Sequence, residues 1–327
     1  LTDDFGYLNA RVRIRRSELL PEGFFQEALR MGFPEVVKVL GESIYGPDMS
    51  GETLADVDRA VSRHLNRTVA DLPRMVSGSA REAVSLLLMR SDLTNVKTLL
   101  RGRHSGWSTE EITARLTIGT LPGALYATLA EATDAASLAQ LFRLPQHPLA
   151  KALRQAAAAT QDPLEMEVLL DNGFHAALLR RARQLDQPYL ARFLSVEIDA
   201  VNLSMGLKLF TIGLKGQSDR FFLPGGGQVG RPLFLRLVEG EVEALEELGD
   251  TDFRTVAEAR DLSSLDRRLR CVLLARARQG GKDALGAGVA NDYIQRKQWE
   301  ASRIRLLARR AFYELPAEAV EQEVFCQ

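Results

Sequence analysis

Apolar residues along this 327-residue chain recur at intervals of three and four, and runs that alternate apolar with polar are nearly missing. Helix punctuation accompanies the pattern. Ser108 with Glu111 three residues on forms a capping box. Asp162-Pro163 places a carboxylate at an N-cap and proline at the first helical position, with Gly173 as the expected stop. Pro188 opens a helical pattern to Gly213, Ser263 caps one to Gly280, and a third runs from about Leu285 to Tyr313 before Pro316. Alanine, leucine and arginine, all strong helix formers, are abundant. The reading is an all-α protein. The one strand-like stretch, Phe221-Phe222-Leu223 before Pro224-Gly225-Gly226-Gly227, reads as a short extended loop.

Three of the long helices share a pattern. Asp92 and Asn95, Asp199 and Asn202, and Glu300 and Arg303 are each three residues apart, and the copies are spaced by 107 and 101 residues (199 − 92 and 300 − 199). The same offsets carry Met89, Leu93, Val96 and Leu100 onto Val196, Ala200, Leu203 and Leu207, then onto Lys297, Ala301, Ile304 and Ala308. Each set follows 4-3-4 spacing, one face of a helix, with the polar pair one residue off the seam. A short helix recurs as well, since Thr109–Ile112 lies as far past Asn95 as Ala317–Val320 lies past Arg303. Three helical-bundle domains are expected, over residues 1–129, 130–236 and 237–327, with the N-terminal helix free to pack elsewhere. They could stack in line or close around a pseudo-threefold axis. The polar pairs are expected to be structural, each holding a neighbouring element.

Composition narrows the classes. An apolar content of 46%, a charged content of 26% and a net charge of −1 exclude a disordered chain. Near-neutrality disfavours a protein that binds DNA along its length. No stretch of 18 apolar residues marks a transmembrane helix, and Leu1-Thr2-Asp3-Asp4 has no basic start or apolar run of a secretory signal. Two cysteines are too few for a disulfide scaffold, and both Cys271, in an apolar helical run, and Cys326 read as reduced thiols.

A search for chemistry finds no catalytic, cofactor or metal centre. Gly225-Gly226-Gly227-Gln228-Val229-Gly230-Arg231-Pro232 has the glycines of a phosphate-binding loop but neither its lysine nor its hydroxyl, and Gly280-Gly281-Lys282-Asp283 also fails. His64, His104, His147 and His175 are scattered and read as surface or interface side chains. Charge is uneven. Arginines cluster at Arg11–Arg16, Arg180–Arg183, Arg267–Arg278 and Arg303–Arg310, against an acidic block of Glu239, Glu241, Glu243, Glu246, Glu247 and Asp250. Such patches suit either solvated helix faces or docking surfaces of both signs.

Read in order, Tyr7-Leu8-Asn9-Ala10-Arg11-Val12-Arg13, Ser43-Ile44-Tyr45-Gly46, Arg90-Ser91-Asp92-Leu93-Thr94-Asn95-Val96-Lys97, Glu197-Ile198-Asp199-Ala200-Val201-Asn202-Leu203 and Arg305-Leu306-Leu307-Ala308-Arg309-Arg310 give the chain a likeness. It resembles the C subunit of the V/A-type (vacuolar-type) ATP synthases and ATPases, the family of the eukaryotic V-ATPase d subunit, over essentially its whole length. Arg303 departs from the asparagine often found there. The resemblance implies a funnel-like, all-helical subunit of three similar domains around a pseudo-threefold axis. It implies a non-catalytic rotor part on the cytoplasmic side of the membrane, peripheral within the complex. Its partners would be the central shaft of the ATPase head and the proteolipid ring, in ATP synthesis or ion transport, with no nucleotide or other cofactor. On this reading Arg309, Arg310 and the loop from Leu223 to Pro232 contribute to docking. The rival readings are an arginine-rich helical repeat protein that binds nucleic acid or a protein scaffold, and an all-α enzyme with a dispersed site.

Overall fold

A computed structural model describes residues 5–117, 119–185 and 187–326. These residues form fifteen α-helices with short 3₁₀ turns between them, and no strand occurs among them. In chain order the helices are α1 Gly6–Ser17, α2 Glu22–Ala28, α3 Phe33–Gly41, α4 Leu54–Ala70, α5 Gly78–His104, α6 Thr109–Thr113, α7 Gly123–Ala130, α8 Ala135–Leu141, α9 Pro148–Ala159, α10 Pro163–Gln184, α11 Pro188–Thr211, α12 Arg231–Glu239, α13 Leu262–Gly280, α14 Gly288–Phe312 and α15 Glu318–Val324. The protein is all-α.

Local chemistry sets many of the helix starts. The Ser108 hydroxyl accepts the Glu111 N–H while the Glu111 carboxylate accepts the Ser108 N–H, and Thr53 with Asp56 does the same at α4. Asp162 accepts N–H groups of Leu164 and Glu165 ahead of α10. The start of α13 falls earlier than the sequence suggests: Asp261 accepts the Ser264 N–H, and Ser263 lies inside the helix. Phe221 ends a 3₁₀ turn, Ser218–Phe221, and Leu223 enters a loop rather than a strand.

Gly173 does not stop α10, which continues to Gln184. A Cβ at Gly173 would come within 2.8 Å of the Ala152 Cβ and 3.2 Å of its Cα. The glycine therefore lets α9 and α10 approach closely, and the following 11 residues continue the helix because nothing breaks their pattern.

The chain divides into two compact units, one of residues 1–81 and 273–327, the other of residues 82–272. In the first unit α14 is the central rod, with α1, α2, α3, α4 and α15 packed around it. Its core holds Phe25, Leu40, Tyr45, Val57, Val61, Ile304, Leu307 and Val324. Full burial of such side chains stabilises by roughly 1.5–3 kcal/mol each. In the second unit α9 lies along α10, and α11 packs on both α10 and α12. Phe234 and Val238 of α12 meet Leu209 of α11 and Val168 of α10 there. Neither cysteine is a free thiol: Cys271 and Cys326 are both disulfide-bonded, contrary to the reduced state suggested by the sequence.

Candidate functional site

The three polar pairs are buried, and each one pins backbone or side chains that return from elsewhere in the chain. On α5, Asp92 is fully buried. Its Oδ1 accepts the Thr120 N–H at 2.8 Å and the Tyr126 hydroxyl, and its Oδ2 accepts the Thr120 hydroxyl. The Asn95 amide, one turn later, closes a two-way pairing with one residue: Oδ1 accepts the Thr117 N–H at 2.8 Å, and Nδ2 donates to the Thr117 carbonyl at 2.6 Å. The geometry repeats on α11. Asp199 accepts the N–H groups of Gly227, Gln228 and Val229 at 2.9, 2.9 and 3.0 Å. Asn202 pairs with both backbone groups of Leu223 at 2.8 Å.

Two glycines make this approach possible. A Cβ at Gly119 would overlap the Asp92 carboxylate, and one at Gly226 would overlap that of Asp199. Each glycine lies twenty-seven residues beyond its aspartate. The loop from Leu223 to Pro232 is thus drawn onto α11 from Leu223 as far as Val229.

The third copy, on α14, uses longer side chains and takes its loop from the other end of the sequence. Glu300 accepts the Leu20 N–H at 2.7 Å on Oε2, and the Tyr45 hydroxyl (2.6 Å) and Lys297 ammonium on Oε1. The Arg303 guanidinium makes two bonds to the Glu22 carboxylate at 2.9 and 2.7 Å and stacks 3.5 Å over the Phe25 ring. A guanidinium here needs a carboxylate where the other copies pair an amide with backbone, and Glu22 at the start of α2 supplies it.

Electrostatics follows from burial. Desolvation, then the neighbouring carboxylate, pushes the Tyr45 and Tyr126 phenols far above the ordinary tyrosine value, so both remain donors to Glu300 and Asp92. Burial raises the Asp199 carboxyl, against three backbone N–H groups that favour its charged form. Burial also lowers the Lys297 ammonium and the Arg303 guanidinium, each opposed by its carboxylate partner.

The repeat extends to the helix ends. Gly106, Gly213 and Glu314 each lie fourteen residues past the acidic member of their pair, and all three have left-handed backbone, with φ of 72°, 70° and 53°. At each, the next residue's N–H bonds back to the carbonyl five residues earlier: Trp107 to Gly102, Leu214 to Leu209, Leu315 to Arg310. Apolar side chains are exposed at two of these ends, Phe210 and Ile212 at the end of α11, and Phe312, Tyr313 and Leu315 at the end of α14.

A charged layer ties α5 to α10 and α11 within the second unit. Lys97 bonds Asp171 at 2.6 Å, Arg101 bonds both oxygens of Glu167, and Arg90 bonds Glu197 at 2.7 Å. His175 is buried beside them and donates from Nδ1 to the Asp171 carbonyl at 2.9 Å. Burial, with Arg90 and Lys97 adding to it, lowers its pKa to about 4. His64 is buried too, and the His147 ring, almost wholly covered, contacts Asp92 at 3.3 Å, so these three are core side chains rather than surface ones. Local spacing carried no signal of this: His64 and His147 meet carboxylates on other elements, Asp48 and Asp92, and His175 is bonded only to a backbone carbonyl of its own helix.

Arg309 and Arg310 part ways. Arg310 is buried and donates to the carbonyls of Met31 and Leu315, whereas Arg309 is half-exposed beside Asp58 at 2.8 Å. Other arginines are engaged in their own unit, as in Arg15–Asp71, Arg181–Glu82 and Arg268–Glu258. No three His, Cys, Asp or Glu side chains gather as a metal site among the described residues. The chemistry these sites can do is mechanical: they fasten loops to helices.

Asp199→Ala leaves three N–H groups without their acceptor, and Gly226→Ala forces the loop off the carboxylate. Each is expected to cost about 2–4 kcal/mol in urea unfolding, with the helical far-ultraviolet signal of the folded state retained. The His175 sign is also defined. Its folded pKa of about 4 lies below an unfolded value near 6.5, so the unfolded chain binds more protons between them. Stability is fully present above the unfolded value and is lost as pH falls towards 4, by about 3 kcal/mol in the limit. Asp171, raised by burial, acts in the opposite sense, so the test compares single variants. His175→Gln is expected to flatten the loss of urea-unfolding stability between pH 7 and 4.5, and an unchanged pH dependence would contradict this.

Comparison with known proteins agrees with the pattern along the chain. The family model described as ATP synthase (C/AC39) subunit matches residues 8–323. The C subunit of the V-type ATP synthase of Thermus thermophilus is 48% identical over 326 residues, covering 100% of both chains. That of Deinococcus radiodurans is 32% identical over 335 residues, covering 99% of this chain and 92% of the relative. The C subunit of the A-type ATP synthase of Methanosarcina acetivorans is 28% identical over 329 residues, covering 94% and 89%. With the match running through all three loop-pinning helices, the chain belongs to the ATP synthase (C/AC39) subunit family.

Proposed function

We propose that this chain, a non-catalytic subunit of a V/A-type ATP synthase, is the connector of the rotor. It joins the central shaft of the soluble head to the membrane proteolipid ring and passes torque between them, as a peripheral component on the cytoplasmic side. The observation that carries this reading is the thrice-used device of a long helix whose buried polar pair fastens a returning segment. A part that transmits torque must resist bending and shear. Loops fastened at two points by buried hydrogen bonds, on helices of 24 to 27 residues, give that resistance. The three copies are read as three like domains around a pseudo-threefold axis, the third completed by α2 from the N-terminal segment. No helix of the described residues is long and apolar enough to cross a membrane. The exposed apolar side chains at the ends of α11 and α14, and the guanidinium of Arg309, are the surfaces offered to partners. Arg310, turned inward, is left out of that set.

Co-purification tests the connector directly. The purified chain is expected to bring an isolated central shaft and a detergent-solubilised proteolipid ring into one complex that neither forms without it. Capture of neither partner would overturn the reading. Within that complex, Arg309→Glu is expected to weaken association several-fold near 50 mM salt and by less than about twofold near 500 mM, because screening removes the charge contribution. Equal affinity at both salts would take Arg309 out of the interface.

A further inference from the structure

Helix α1 carries Arg11, Arg13, Arg15 and Arg16 and no acidic residue. Its inner side is fixed. Leu8, Asn9 and Val12 are buried, and the Asn9 amide donates to the carbonyls of Ala284 and Gly286. Arg15 bonds Asp71 and the Thr68 carbonyl, and Arg16 bonds Asp292. On the outer side, Tyr7, Arg11 and Ile14 follow one another at intervals of four and three, which sets them in one line along the helix surface. Tyr7 is 56% exposed and Ile14 63% exposed. Ala10 and Arg11 lie exposed between them, and Arg13 is exposed to one flank. Arg11 and Arg13 have no ion-pair or hydrogen-bond partner among the described residues. The nearest acid along the described chain, Glu18, lies just past the helix and acts on Lys297 of α14.

We infer that this outer face of α1 rests on an anionic phospholipid surface, with the Tyr7 ring and the Ile14 side chain at the edge of the acyl region and the Arg11 and Arg13 guanidiniums on headgroup phosphates. A short apolar line beside unneutralised arginines is the pattern of a helix that lies in a membrane interface. The arginine stems run along apolar surface while their charged ends reach the phosphates, and tyrosine offers a ring to one layer and a hydroxyl to the other. Charge and area together select the occupant. A helix with arginines and no carboxylate is drawn to a negatively charged leaflet. Two apolar side chains are far short of the roughly 800 Å² per partner that a stable protein interface covers, whereas a fluid lipid surface demands no matching shape. The inference rests on the reading of this chain as a peripheral part of a membrane complex. A weak contact suffices there, because the complex already holds the helix near the bilayer and raises its effective concentration.

Flotation of the full chain with lipid vesicles tests this. Vesicles of phosphatidylcholine with about 30% phosphatidylglycerol are compared with vesicles of phosphatidylcholine alone, near 50 and 500 mM salt. The wild-type chain is expected to float with the anionic vesicles at the lower salt, at least about fivefold more weakly at the higher, and not with the neutral ones. The double reversal Arg11→Glu with Arg13→Glu is expected to weaken binding by about tenfold or more at the lower salt. Ile14→Ser is expected to weaken it by about threefold at either salt, since burial of apolar area is insensitive to screening. Both variants alter exposed side chains, and each is checked for an unchanged melting temperature. A wild-type chain that does not float with anionic vesicles overturns the assignment, and so does wild-type binding in both variants. A loss in the charge reversal alone, with equal retention of wild type and Ile14→Ser on immobilised heparin, reassigns the face to soluble polyanions and also overturns it. None of these results touches the connector reading, whose own test uses a detergent-solubilised ring and no vesicles.

Discussion

A buried carboxylate that accepts the N–H groups of a loop is the interaction on which the rest of this structure depends. Asp92 and Asp199 are wholly covered, and such burial is tolerable only where hydrogen bonds replace water on both oxygens. The loop supplies them, and the loop in turn has no other partner for those N–H groups in the core. Each side therefore needs the other. The adjacent asparagine, by taking both backbone groups of one residue, fixes the register so that the correct N–H groups arrive at the carboxylate.

The third copy shows how far this chemistry can be altered while keeping its purpose. Glutamate reaches further than aspartate, and here one oxygen takes a single backbone N–H while the other takes a phenol and an ammonium. Arginine cannot pair with an N–H group, so it binds a carboxylate instead. The consequence is topological: α14, late in the chain, is fastened to the segment before α2, early in the chain, across 280 residues. The N-terminal and C-terminal stretches are thereby held in one unit, which makes that unit dependent on the whole chain having been synthesised.

The repeat was legible in the sequence because it lies along single helices, where spacing and side-chain type report directly on the face that is buried. What each pair holds was not legible. The partners are mostly backbone groups some 20 to 30 residues away for Asp92 and Asp199, and backbone groups carry no residue-specific mark. The one available sign was the glycine at equal distance past each aspartate, Gly119 and Gly226. Gly173 was misleading for a related reason: a glycine that ends a helix and one that lets two helices touch look alike in one dimension. The buried histidines were hidden similarly, since His147 and His175 owe their burial to neighbours on other elements. Charge clusters gave position without purpose, as the contrast between inward Arg310 and exposed Arg309 demonstrates.

Hydrogen exchange at the pinned amides tests the central claim most directly. If the loops are fastened rigidly, the N–H groups of Leu20, Thr120, Gly227, Gln228 and Val229 should exchange only with global unfolding, as slowly as amides within α11 and α14, although they lie outside helices. Exchange of these amides at the rate of exposed loops, in a chain whose helices remain protected, would contradict the account.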